Sequence, residues 1–156
     1  RKTASLLSCC CRVGALLGPQ RNGEAEALGR YGFNLGMAFQ ITDDVLDITG
    51  NDSELGKTVG NDLREGRLTL PFIRAMNEAG ESDRDWLRGA FRSGDVDGEV
   101  LGRARDLVDR FEGIAYSRDV ALEYARACKT HLDALEESES RTALAEIADY
   151  VVSRAS

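Results

Sequence analysis

The chain has 156 residues and a formal net charge of −7 at pH 7, with 42% hydrophobic and 30% charged residues. These are globular proportions, so a disordered or low-complexity chain is excluded, and the length is enough for one domain with a buried core. The acidic balance argues against nucleic acid or an anionic membrane as partner, and no apolar run approaches the ~20 residues that span a bilayer.

Only two prolines interrupt a sequence rich in Ala, Leu, Arg and Glu, so helices are expected throughout. The chain starts at Arg1 rather than Met, inside a helical pattern, and no signal peptide is expected from its first residues. A first helix is predicted from Lys2 to Leu17, stopping at Gly18-Pro19, and Gln20 to Gly23 reads as a polar turn. A second helix is predicted from Glu24 to Thr49. Gly50 to Gly66 contains four glycines and no clear period, and reads as loop. Leu70-Pro71 after Thr69 opens a third helix, because proline suits the first helical turn. That helix ends at Ala79-Gly80, and Ser82 with Asp85 resembles a capping box for a short helix through Phe91. Three amphipathic helices follow, marked by Val100/Ala104/Leu107/Val108, Val120/Tyr124/Cys128/Leu132 and Leu144/Ile147/Ala148/Val151. Polar residues oppose each stripe, so these helices pack on one side and need no chemistry. The three consecutive cysteines, Cys9, Cys10 and Cys11, point in different directions around a helix and cannot form a tetrahedral metal site together; Cys128 lies far along the chain, and His131 is not spaced to join them. They read as reduced core thiols of a cytoplasmic protein.

The second helix is different. At ~100° per residue, Gly32, Gly36, Phe39, Gln40, Asp43 and Asp47 share one face, and Met37, Ala38, Ile41, Val45 and Ile48 the other. With no evident solvent face, this helix should be buried. Buried carboxylates are costly unless paired or bound to metal, and i, i+4 spacing brings Asp43 and Asp47 together with Asp44 beside them. Mg²⁺ takes oxygen ligands and keeps several waters or phosphates, so the three aspartates suit a metal-bound phosphate. A solvated acidic face or pairing with arginines suits the same pattern. The next segment adds Lys57, Arg64 and Arg67 among Gly56, Gly60 and Gly66. Such cations can reach phosphate oxygens, and glycines allow close backbone approach; an ordinary charged surface loop is the competing reading.

Taken together, GMAFQITDDVLDITG from Gly36 to Gly50 and ELGKTVGNDLREGRLTLP from Glu54 to Pro71 resemble the second aspartate-rich region of trans-isoprenyl diphosphate synthases, the polyprenyl synthetase family. Lys2-Thr3-Ala4 resembles the family's Lys-Thr helix, and the tail from Gly113 to Arg154 is similar too. The resemblance spans the whole chain but only the C-terminal half of a family member, so residues 1–156 are expected to form half of a single all-α domain. It implies the isoprenoid synthase helical bundle. It also implies head-to-tail condensation of an allylic diphosphate with isopentenyl diphosphate, with loss of diphosphate. Mg²⁺ would be held by Asp43 and, more weakly, Asp44 and Asp47. Lys2, Lys57 and Arg67 would contact the diphosphate, Arg67 replacing a lysine common in the family. Thr3 and Gln40 would lie near the reacting carbons, and the complete protein is expected to be a homodimer. The family's first aspartate-rich motif and its isopentenyl diphosphate residues have no counterpart here, so the 156 residues alone are expected to be inactive. The competing expectations are a non-catalytic subunit or regulatory homologue of the same fold, a terpene cyclase, and a plain helical interaction module.

Overall fold

A computed structural model describes residues 2–18, 23–50 and 60–155. Every regular element among them is a helix: α1 Lys2–Leu17, α2 Glu24–Thr49, α3 Asn61–Arg64, α4 Leu70–Glu78, α5 Glu81–Ser93, α6 Gly98–Arg110, α7 Gly113–Leu132 and α8 Glu139–Ser153. None of these is long and apolar enough to cross a membrane. The chain divides into two compact units, Arg1–Thr42 with Asp119–Ser156, and Asp43–Arg118. Helix α2 thus contributes to the first unit up to Thr42 and to the second from Asp43.

In the first unit, small residues decide how α1 and α2 meet. A Cβ at Gly32 would lie 2.5 Å from the Leu7 carbonyl oxygen and 2.9 Å from Cys11 Sγ, and one at Gly36 would overlap Ala4 Cα. The two helix backbones therefore approach at positions only glycine can fill. Tyr31, Leu35, Ala38, Cys128, Leu132, Ala148 and Val151 form the core beside this crossing. Its polar atoms are paired, as buried polar atoms must be. Tyr31 Oη donates to the Leu144 carbonyl at 2.8 Å, and Cys128 Sγ donates to the Tyr31 carbonyl at 3.5 Å. Burial, with Cys11 nearby, pushes the Cys128 thiol up to about 12, so it stays protonated. All four cysteines are free, but only Cys128 is a core thiol; Cys9 and Cys10 are exposed and Cys11 half-buried. This corrects the expectation of core thiols throughout, because successive residues on a helix cannot share its buried face. The outward side of α1 carries Leu6, Val13, Leu16 and Leu17, the last 84% exposed.

The second unit closes around Ile48, Leu63, Phe72, Leu87, Ala104, Leu107 and Val108, with Phe72 and Phe91 edge to face at 5.0 Å. Pro71 occupies the first turn of α4, as its sequence position predicts. Two local readings fail. The glycine-rich stretch is not loop to its end, since α3 forms at Asn61. And α5 starts at Glu81 after an uncapped Gly80 and runs to Ser93, so Ser82 is not its N-cap. Arg84 fixes that corner instead, donating from Nε to the Met76 carbonyl and from Nη2 to the Ala79 carbonyl, both at 2.8 Å. Asp97 caps α6 by accepting the Val100 amide at 2.8 Å.

The crossing in the first unit makes a graded prediction. Gly36→Ala forces α1 and α2 apart and should cost about 1–3 kcal/mol, as overpacking does. Gly14, with nothing within 4 Å of its Cβ position, should accept alanine at no cost or with a small gain. Urea unfolding of the two variants beside the parent chain checks both.

Candidate functional site

The aspartates predicted to act on a ligand sit on the last two turns of α2, in the second unit. Asp43, Asp44 and Asp47 are all half-buried. Helices end with carbonyls that have no partner inside the helix, and the way this end is satisfied defines the site. The Leu46 carbonyl accepts the Gly50 amide at 2.9 Å, and the Asp47 carbonyl accepts the Gly60 amide at 2.8 Å. The carboxylate of Asp47 then turns to the start of α3. Its Oδ1 accepts the Asn61 amide at 3.2 Å and its Oδ2 the Asp62 amide at 3.0 Å. Gly60 makes the turn between them with φ 77, where a Cβ would also lie 2.6 Å from Leu101 Cδ1. A carboxylate on two amides at a helix start is favoured by hydrogen bonding and by the partial positive charge there.

Beside this clamp lies Asp62, 9% exposed. Burial pushes its carboxyl above the usual range, and the negative charges of Asp47, Glu65 and Asp43 push the same way, while Arg67 opposes them. Arg67 Nε meets Asp62 Oδ1 at 3.0 Å and its Nη2 meets Glu65 Oε2 at 2.8 Å. Asp43, Asp47, Asp62 and Glu65 thus gather at one place, with Arg67 paired to Asp62 and Glu65.

The donor set decides what kind of cation. Among the described residues, no three His, Cys, Asp or Glu side chains are gathered into a ready metal cage. Mg²⁺ does not need one, since it commonly uses one or two carboxylates and completes its shell with water and phosphate oxygens. The two amides take two of the roughly four lone-pair directions of Asp47, so that carboxylate keeps acceptor capacity. The residues present fit a hard divalent ion carried with a phosphate ligand.

The other predicted site residues fall as follows. In the first unit, Lys2 is exposed near the start of α1. Thr3, one residue on, donates from Oγ1 to Gln40 Oε1 at 3.3 Å, joining two residues 37 positions apart. In the second unit, Arg67 is exposed but shared with Asp62 and Glu65. Lys57 lies outside the described residues. Sequence reasoning missed Asn61, Asp62 and Arg105. Arg105 donates from Nε to the Ile48 carbonyl at 2.7 Å and from Nη2 to the Gly50 carbonyl at 3.0 Å. Asp62 had a weak signal, a lone acid two residues after a glycine within an otherwise motif-rich segment. Arg105 had none, because its partners are backbone atoms more than fifty residues away.

Comparison with known proteins gives a uniform answer. A family model described as polyprenyl synthetase matches residues 1–108. The chain is 40% identical to a short chain isoprenyl diphosphate synthase of Methanothermobacter thermautotrophicus, covering 99% of this chain and 47% of that protein. It is 39% identical to a nonaprenyl diphosphate synthase of Mycobacterium tuberculosis, over 98% of this chain and 45% of the relative. Among solved structures, a polyprenyl synthase of Caulobacter crescentus complexed with calcium and isoprenyl diphosphate superposes with a TM-score of 0.91 at 35% identity, covering 99% of this chain and 47% of that one. The chain thus spans about half the length of the relatives it matches.

Asp47 should behave as a cap as well as an acid. Asp47→Ala removes both acceptors from α3 and is expected to cost about 1–2 kcal/mol in urea unfolding. Asp47→Asn, which keeps one acceptor oxygen, should lose less.

Proposed function

This chain belongs to the polyprenyl synthetase family, and we propose that it forms the C-terminal half of one all-α prenyltransferase domain. That domain condenses an allylic diphosphate with isopentenyl diphosphate, head to tail, and releases diphosphate. The observation that carries this reading is the carboxylate-rich end of α2, with Asp47 fixed by two amides and Asp62 and Glu65 gathered beside it. Support comes also from the relatedness to isoprenyl diphosphate synthases, and from the Caulobacter structure, which is complexed with calcium and isoprenyl diphosphate.

In this reading Asp43 is the principal ligand for Mg²⁺, with Asp44 and Asp47 contributing less. Bound Mg²⁺ neutralises charge on the diphosphate and makes it a better leaving group. The residues of the chain do the rest. Lys2 and Lys57 donate to phosphate oxygens. Arg67 has five N–H donors and can serve phosphate while still paired with Asp62 and Glu65. Thr3 and Gln40 set polar oxygens near the allylic carbons. There they stabilise positive charge as the carbon–oxygen bond lengthens, without forming a lasting bond to it. The chemistry requires apolar walls that would keep water from capturing that charge.

The same reading holds that residues 1–156 do not elongate a prenyl chain by themselves. They lack a counterpart of the family's first aspartate-rich motif and of its residues for isopentenyl diphosphate. The apolar residues left exposed on α1 suit completion of the domain by further protein, and the complete protein is read as a homodimer.

Two measurements test these statements. Calorimetric titration with a non-ionising allylic thiodiphosphate should show binding that requires Mg²⁺ and vanishes with a chelator. Asp43→Ala should weaken it at least about tenfold, the loss typical of a charged hydrogen-bonding or metal-binding partner, with the helical circular dichroism unchanged. Incubation with labelled isopentenyl diphosphate and an allylic primer should yield no elongated product, and measurable turnover would contradict the inactive reading. Binding that is indifferent to Mg²⁺ would favour a non-catalytic homologue of the same fold.

A further inference from the structure

We propose that Arg105 is a positioning residue for the aspartate-rich end of α2. It fixes the last turn of that helix so that Asp47 can hold α3 while Asp43 and Asp44 stay directed at their ligand. The metal part of this statement rests on the function proposed above; the positioning part does not.

The geometry is a two-point hold. Arg105 Nε donates to the Ile48 carbonyl at 2.7 Å and Nη2 to the Gly50 carbonyl at 3.0 Å. Those oxygens lie on either side of Thr49, at the point where the helix stops. Thr49 itself is tied back through Oγ1 to the Val45 carbonyl at 2.9 Å. With the Gly60 amide on the Asp47 carbonyl, donors distant in sequence satisfy Asp47, Ile48 and Gly50 in turn. Without them, the terminal carbonyls would be left short of partners in a partly buried setting.

Arg105 can impose this geometry because its own helix is firmly seated. Ala104, Leu107 and Val108 of α6 are buried in the same core as Ile48. The guanidinium is a planar fork with donors in fixed relation, so it sets the distance and direction between two carbonyls. An ammonium on a flexible stem satisfies one of them as a point charge. A cation at a helix C-terminus is also favoured by the partial negative charge there. The carboxylate of Asp47 departs from the turn that Arg105 holds, and it is that carboxylate which organises α3. The hold on Ile48 and Gly50 is therefore coupled to the bonds that Asp47 makes with Asn61 and Asp62.

The test uses the whole chain with Arg105→Met and Arg105→Lys. Amide hydrogen exchange is read at Gly60, Asn61 and Asp62, whose N–H groups bond to Asp47, and at Leu107 and Val108 in the core of α6. In Arg105→Met, exchange at the first three is expected to rise about five- to tenfold, the change that losing one or two hydrogen bonds brings to a local opening. Exchange at Leu107 and Val108 should stay as in the parent, and Arg105→Lys should fall between the two. Unchanged exchange at Gly60 to Asp62 would overturn the proposal. So would equal acceleration at all five amides, which would make Arg105 a general stabiliser. The second readout is Mg²⁺-dependent binding of the allylic thiodiphosphate, expected to weaken in Arg105→Met and recover in part in Arg105→Lys. If the parent binds and Arg105→Met binds equally well, the positioning role is overturned. If the parent shows no Mg²⁺-dependent binding, the functional reading fails, and the exchange pattern alone decides the role of Arg105.

Discussion

The end of α2 is the constraint on which the second unit depends. A helix that stops within a folded unit presents carbonyls with no partner of its own, and each must be met from elsewhere. Here they are met by the amide of Gly60 and the guanidinium of Arg105. The side chain of Asp47 completes the arrangement by accepting the first amides of α3. One turn thus joins α2, α3 and α6, and the acidic residues ride on the part of the helix that this turn holds still. A site for a small charged ligand needs that rigidity, because misplacing a metal-binding carboxylate by even an ångström is costly to rate.

Charge follows from the same construction. Bringing α3 onto Asp47 also buries Asp62 near Asp43, Asp47 and Glu65, with Arg67 opposing their charge. A concentration of negative charge of this kind weakens a protein that has nothing to bind. In the proposed function a bound cation would offset that charge, exchanging local stability for affinity. Arg67 serves both conditions. It softens the repulsion through its pairs with Asp62 and Glu65, and in the proposed function its remaining donors turn to phosphate.

Much of this was legible in the sequence where the signal is periodic. The helical spans and the core stripes of α6 and α7 follow from 3.6-residue spacing, and Pro71 marked the start of α4. The three aspartates stand out because carboxylates on an otherwise apolar helix demand an explanation, whereas Gln40 enters only through the family resemblance. What could not be read were contacts that no period encodes. The four residues of α3 exist because Asp47 caps them, fourteen residues away, and by local signals they looked like loop. The corner before α5 depends on Arg84 reaching back to carbonyls rather than on Ser82. The close crossing of α1 and α2 at Gly32 and Gly36 appears only when both helices are in place. Cys9 and Cys10 were misjudged for a related reason, since a run of like residues around a helix must share out buried and exposed faces.

The central claim is a division of labour within one motif, with Asp43 facing the ligand and Asp47 holding the backbone. It is tested most directly by anomalous diffraction at the manganese edge from crystals of this chain grown with Mn²⁺ and inorganic diphosphate. The expected result is a manganese peak beside Asp43, with both Asp47 oxygens still within hydrogen-bonding distance of the Asn61 and Asp62 amides. A metal seated on Asp47 with those amides released, or no metal near Asp43, would contradict it.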